Sequence, residues 1–217
     1  MDKKITVLTI SDHPLLPSGV ATQTKYMIEA LLESGKFNVI SLGGAVKHND
    51  YTPKSVPGHK GTWEIFPIDG YGDARLVTAF LKDRKPDILY FMTDPRFYEW
   101  LWAIEDQIRD KIPMVYYHVW DNYPYPIFNR RFYESNDAIA SISKVTSDIV
   151  QKVAPSVKEE YIPHAVDSNV FKRKSPKELE KLLETNPVFK DRFVFFWNNR
   201  NARRKQTGSL VHWFREF

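Results

Sequence analysis

Residues 5–32 read ITVLTISDHPLLPSGVATQTKYMIEALL. Ile5 to Ile10 is a short run of apolar and β-branched residues, the pattern of a strand in a sheet covered on both faces. Ser11 to Gly19 is a polar loop containing prolines. Val20, Thr24, Met27, Ile28, Leu31 and Leu32 then recur at helical spacing. Strand, loop and helix in this order open a doubly wound α/β domain, whose ligands bind where loops leave the carboxyl ends of the strands. Gly19, at the entry to the helix, would let backbone N–H groups approach an anion. On this stretch alone the plainer reading is preferred, in which Gly19 only makes the turn.

Working outward, the pattern repeats. Strands are expected at 37–42, 63–68, 88–92, 114–119, 137–142 and 160–162. Helices are expected over Arg75 to Lys82, around Phe97, Leu101, Ile104 and Ile108, over Arg130 to Glu134, and after Ser143, which can cap. Residues 45–62 read as a long loop. The sequence therefore predicts an α/β, Rossmann-like, mostly parallel sheet with helices on both faces, over residues 1–170. Residues 171–190 read as a connecting segment, within a charged stretch whose Leu179, Leu182 and Leu183 make a small apolar face. Phe193 to Trp197 (FVFFW) restarts the pattern as a strand, and Thr207 to Phe217 as a helix. Residues 191–217 are thus expected to be the first strand and helix of a second, truncated α/β domain.

The chain has 217 residues, no cysteine and an ordinary share of apolar residues, 42%. Disulfides, a thiol nucleophile and cysteine metal sites are excluded. The net charge of +4 is unevenly placed. Residues 192–217 hold six basic residues and one acid, or +5, which leaves 25 basic and 26 acidic residues elsewhere, or −1. A near-neutral body with a basic tail suits a local anion site and argues against a broad nucleic-acid surface.

Gly-x-Gly-x-x-Gly, Walker A and Gly-x-Ser-x-Gly patterns are absent, and no two aspartates stand two residues apart. The six histidines have no metal-ligand spacing. Four signals remain. Ser18-Gly19 lies at the mouth of the first strand. His118 ends the fifth strand and would face the ligand crevice, or else bond a neighbouring loop. Tyr161 to Asp167, YIPHAVD, is followed by Phe171. Arg200 and Lys205 stand on the loop after FVFFW, where guanidinium and ammonium groups suit a diphosphate. Arg203 and Arg204 read as solvated loop.

In this order the four signals resemble the retaining nucleotide-sugar glycosyltransferases of family 4, which have the two-domain GT-B fold. The resemblance covers the chain as the N-terminal half and the start of the C-terminal half. Ile162-Pro163-His164-Ala165-Val166-Asp167 is similar to the family's Ile-Pro-Asn-Gly-Val-Asp, with His164-Ala165 in place of Asn-Gly. Arg200 and Lys205 match the pair that holds the donor diphosphate. Gly19 matches one glycine of a loop that often has two. His118 matches the histidine that contacts the donor sugar, and SISKVTSDIV, Ser141 to Val150, resembles a Ser-Lys helix start. Asn199 precedes Arg200 where the family usually has glycine.

The resemblance implies transfer of a sugar from a nucleotide-sugar donor to an acceptor hydroxyl, with retention of configuration. His118 is then the catalytic residue, and Arg200, Lys205 and Gly19 hold the diphosphate. No metal or cofactor is expected, because the nucleotide sugar is a substrate. The acceptor would be a glycan, a lipid-linked sugar or a protein. Asp94, Trp120 and Asp121 are the acceptor-side candidates, on or beside the aromatic loop Trp120 to Phe128; the alternative for that loop is domain packing. A cytoplasmic protein with room for peripheral membrane contact is expected, without nucleic-acid partners. The family's acidic motif would lie beyond Phe217, so the 217 residues alone are expected to be inactive. The alternatives are another GT-B enzyme, an epimerase or phosphorylase, and a non-catalytic carbohydrate-binding domain. The fold alone does not separate them.

Overall fold

A computed structural model describes residues 3–217. The chain divides into two compact units, one ending at Ala165 and one running from Val166 to Phe217.

The first unit is built on one eight-stranded sheet. Its strands are β1 (Ile5–Asp12), β2 (Phe37–Gly44), β3 (Lys54–Ser55), β4 (Trp63–Pro67), β5 (Ile88–Met92), β6 (Met114–His118), β7 (Ala138–Ser141) and β8 (Glu159–Tyr161). The order is β3-β4-β2-β1-β5-β6-β7-β8. Among the described residues only β3 runs antiparallel, against β4. β3 lies inside the stretch 45–62 expected to be a loop, and it pairs with the strand expected at 63–68. β1 pairs with β2 from Ile5–Phe37 to Asp12–Gly44 and with β5 from Val7–Ile88 to Ile10–Phe91. Two partners and two covered faces explain why its sequence is a continuous apolar run.

The helices are α1 (Gly19–Glu33), α2 (Ala74–Asp83), α3 (Glu99–Trp102), α4 (Glu105–Arg109), α5 (Arg130–Glu134) and α6 (Lys144–Val153). Alternate strand residues sort onto opposite faces. Leu8, Ile10, Phe91, Met114, Tyr116 and Ile139 pack with Val77 of α2, Leu101 and Trp102 of α3, Ile108 of α4, Tyr133 of α5 and Val150 of α6. Val39 of β2 and Trp63 and Ile65 of β4 face the other way and pack with Ile28 and Leu32 of α1. Right-handed crossovers account for this division, because the chain leaves β1 towards β2 on one side and proceeds from β5 towards β8 on the other. Leu8 and Ile10 are fully buried, and each such side chain contributes roughly 1.5–3 kcal/mol.

The helix expected around Phe97 to Ile108 is broken into a single turn at Pro95–Phe97, then α3 and α4. Tyr98 and Ile104 leave helical geometry, with ψ of 13° and 18°. At the first break Tyr98, not Phe97, turns inward, and its hydroxyl lies 2.9 Å from the carbonyl oxygens of both Ile10 and Met92. The break thus ties the end of β1 to the end of β5.

The second unit contains α7 (Pro176–Thr185) and α8 (Thr207–Glu216). Ser175 and Glu178 form a reciprocal capping box at the start of α7. The strand expected at Phe193 to Trp197 does not form; these residues are irregular and exposed. Strand hydrogen bonds need a neighbouring strand, and among the described residues this unit has none. Phe195 instead packs edge-on against Phe214 of α8, at 5.2 Å between centroids.

Candidate functional site

Because β1, β5, β6 and β7 are parallel, their carboxyl ends share one edge. Gly19, Asp94, His118, Trp120 and Asp121 all leave the sheet at that edge. Its centre is Asp12, the last residue of β1. The buried carboxylate accepts from the Ser18 hydroxyl at 2.6 Å and from the Tyr71 hydroxyl at 2.7 Å. Two loops, those before α1 and before α2, are thereby held to the strand end. Burial, then the bond to Asp12, pushes the Tyr71 phenol well above its ordinary range, so it stays a donor.

Ser18 also caps α1, accepting from the Ala21 N–H at 3.0 Å. Gly19 is the first helical residue, and its φ is outside the left-handed region. A Cβ added there would have nothing within 4 Å. Neither turn geometry nor packing in this unit requires glycine at position 19. The contrast is Gly44, where a Cβ would fall 1.8 Å from the Gly70 carbonyl oxygen, so close backbone approach does require glycine. Beside it, the ring of buried His13 lies against that of His48, 5.4 Å apart. Burial, with His48 and Lys54 nearby, lowers the pKa of His13.

Asp94 accepts from the guanidinium of Arg96 at 2.8 and 2.9 Å and from its backbone N–H at 3.0 Å. Burial raises its pKa, but the Arg96 bonds outweigh this, and the carboxyl is held below its ordinary value. Asp94 is partly covered and Asp121 exposed. Trp120 packs against the core, and its carbonyl accepts from Thr146 of α6 at 2.9 Å.

His118 does not face the crevice, where the resemblance would place it; it takes the other reading, a bond to a neighbouring segment. It is completely buried. Its Nε2 lies 2.7 Å from the hydroxyl of Tyr133, on α5, and the rings of Tyr116 and Tyr133 lie against it. The correction has a local cause: after the aromatic loop the chain returns as α5, which covers the end of β6. Burial lowers the pKa of His118 to about 3, against a smaller opposing pull from Asp94. The ring is therefore neutral at ordinary pH. Its Nδ1 has no hydrogen-bond partner among the described residues, and neither does the hydroxyl of Ser141, its neighbour in register on β7.

Ile162 to Ala165 is fastened within the first unit. The Tyr117 hydroxyl donates to the Ile162 carbonyl at 2.8 Å, and the Gln23 amide bonds both N–H and C=O of Ala165. In the second unit, Asp167 accepts from the Asn169 N–H, and its carbonyl from the Phe171 N–H, both at 2.8 Å. Arg200 is exposed on the irregular stretch, while Lys205 ends a single tight turn, Arg203–Lys205, before α8.

Asp12, Tyr71 and Arg96 were not among the residues singled out from sequence. Asp12 could have been found, as the polar residue ending an apolar strand. Tyr71 could not, since its loop reaches the site only through the sheet order. Among the described residues, no group of three His, Asp or Glu could hold a metal, and no helix is long and apolar enough to cross a membrane.

No protein-family model and no curated protein matches the chain. Solved structures do. One, from E. coli, is described as trehalose-6-phosphate bound with UDP-2-fluoro glucose; it has a TM-score of 0.50 and 12% identity over 83% of this chain and 54% of that one. The sheet is a Rossmann-like domain of the GT-B type. The OtsA apo structure gives a TM-score of 0.49, with 12% identity over 84% of this chain and 55% of that one. An alpha,alpha-trehalose 6-phosphate synthase from Burkholderia multivorans gives 0.42, with 14% identity over 84% and 56%. The chain spans about half the length of the structures it matches.

Proposed function

We propose that this chain is part of a retaining glycosyltransferase that moves a sugar from a nucleotide-sugar donor to an acceptor hydroxyl. The observation that carries the reading is the fold shared with a structure described as holding UDP-2-fluoro glucose. The family-4 assignment rests on the sequence motifs alone: Ile162 to Asp167, Arg200 and Lys205.

In this reading Arg200 and Lys205 bind the donor diphosphate. Negative charge grows on the leaving diphosphate as the sugar becomes oxocarbenium-like. Cations placed there stabilise the transition state more than the ground state. The uncrowded position of Gly19 leaves room for an anion or an acceptor beside the start of α1. Asp94, held ionised by Arg96, and Asp121 can accept hydrogen bonds from acceptor hydroxyls. His118 is assigned a positioning role through Tyr133, since its ring is enclosed. No covalent intermediate is required, and the acceptor proton passes to the departing phosphate.

The test is nucleoside diphosphate release from a panel of nucleotide sugars, by the natural protein that contains this chain. Arg200→Ala and Lys205→Ala should each lower turnover by at least about tenfold, since a charge-assisted bond is worth roughly 1.5–3 kcal/mol. Unchanged turnover in the double variant would overturn the assignment of the diphosphate to this loop.

A further inference from the structure

The loop between β6 and α5 carries an aromatic surface that the fold does not bury. Tyr123, Tyr125 and Phe128 are exposed by 56%, 38% and 72%. Exposed rings on a floppy loop would mean little, but this loop is fastened. Trp120 packs against the core and is bonded to Thr146, and Pro126 is buried. The Tyr123 and Tyr125 hydroxyls converge on one oxygen of Asp148, on α6, at 3.4 and 2.8 Å. The two rings meet edge to face, at 5.2 Å and 79°. The arrangement fixes the phenols by their polar tips and leaves the rings exposed. The second oxygen of Asp148 has no donor among the described residues.

Exposed aromatic faces beside an unpaired carboxylate oxygen match one ligand chemistry well. A pyranose ring offers apolar C–H groups that stack on an aromatic face, and hydroxyls that donate to a carboxylate. The charge pattern narrows the choice. Residues 120–129 contain one acid, Asp121, and no base. Bases flank the loop instead, Arg130 and Arg131 at the start of α5 and Lys144 and Lys152 four residues either side of Asp148. The polar group bonded to the rings is a carboxylate, which favours a neutral glycan over an anionic one. Tyr123 lies only two residues beyond Asp121, at the same edge of the sheet as Asp94.

We propose that Tyr123, Tyr125 and Asp148 form a subsite for a neutral oligosaccharide acceptor, binding a sugar unit beyond the one that carries the reacting hydroxyl. The inference rests on the transferase reading for its acceptor role, but the binding itself can be tested without catalysis.

Titration of the 217-residue chain with neutral di- to hexasaccharides, followed by the aromatic NMR resonances, should perturb the Tyr123 and Tyr125 signals. Monosaccharides should perturb them far less. Tyr125→Ala should weaken binding about tenfold, in line with the loss of one stacked ring. Asp148→Asn should weaken it less, and Tyr125→Phe, which keeps the ring, should retain most of it. A melting temperature within a few degrees of the parent separates lost stacking from lost folding. In the complete enzyme, Tyr125→Ala should raise KM for an oligosaccharide acceptor about tenfold and leave KM for a monosaccharide acceptor unchanged.

Absence of oligosaccharide binding, with sugar transfer to small acceptors intact, would overturn the subsite and leave the transferase reading standing. Oligosaccharide binding without any sugar transfer by the complete protein would uphold the binding site and overturn the transferase reading. Binding to lipid vesicles that is lost in Tyr125→Ala, with no response to oligosaccharides, would overturn the subsite in favour of a membrane contact.

Discussion

Ile5 to Leu32 and Phe193 to Phe217 carry the same sequence pattern, an apolar run, a polar loop and an amphipathic helix, yet they take different structures. The first run is β1, with β2 on one side and β5 on the other. The second is irregular, with Phe193 86% and Phe196 83% exposed. FVFFW is the stronger strand sequence by propensity. Apolar β-rich sequence therefore supplies only the willingness to pair. The partner strands supply the structure.

The largest consequence is a difference in backbone protection. Amides in the centre of β1 should exchange with solvent only on global opening, which costs about 5–15 kcal/mol in an ordinary domain. Amides of Phe193 to Trp197 lack strand partners and should exchange almost freely. Hydrogen exchange read by mass spectrometry on the 217-residue chain checks this. Equal protection of the two runs would break the comparison, because FVFFW would then have found a partner in solution.

A smaller effect should appear on truncation of side chains. Ile10 is completely buried, and Ile10→Ala should cost about 2–5 kcal/mol. Phe195, 64% exposed and resting on Phe214, should change stability by less than about 1 kcal/mol when replaced by alanine. Urea unfolding of both variants measures the pair. A large cost at Phe195 would mean that the second unit has its own cooperative core.

The same contrast explains what could be read from sequence. The α/β architecture was legible because β1, β5 and β6 are locally consistent: their apolar runs, loops and helices agree. FVFFW misled because strand formation is settled by a distant partner. At the carboxyl edge, the positions of Gly19 at the entry to α1 and of Asp94 just past β5 were legible from the sequence pattern, though position alone decides no role for either. The burial of His118 was not, since it depends on Tyr133, fifteen residues on, folding back over the strand. The Asp12–Tyr71 bond spans 59 residues, a distance across which sequence periodicity carries no signal.

Acid titration sharpens the comparison further, because the enclosed carboxyl edge of the first unit contains buried histidine. The His118 pKa is about 3 in the folded chain and near the ordinary 6.5 when unfolded. Above pH 6.5 both states hold it neutral, and it contributes the same stability throughout. As pH falls below 6.5 the unfolded chain takes up a proton that the folded chain refuses, so stability is lost until the folded ring titrates near pH 3. The slope approaches about 1.4 kcal/mol per pH unit, or about 2 kcal/mol between pH 7 and pH 5. Burial also lowers the pKa values of His13 and His164, and these add to the same slope. Asp87 and Asp94, whose pKa values are lowered from 3.8, lose their contributions as pH falls below that value, outside this window. Denaturant unfolding of the parent and His118→Gln chains at pH 7, 6 and 5 isolates the His118 part. The variant should be flatter by about 2 kcal/mol over this range, whatever its stability at pH 7. Parallel curves for the two chains would show that the His118 ring titrates alike in the folded and unfolded chains, as a solvated imidazole does, and would favour the reading in which it faces the open crevice.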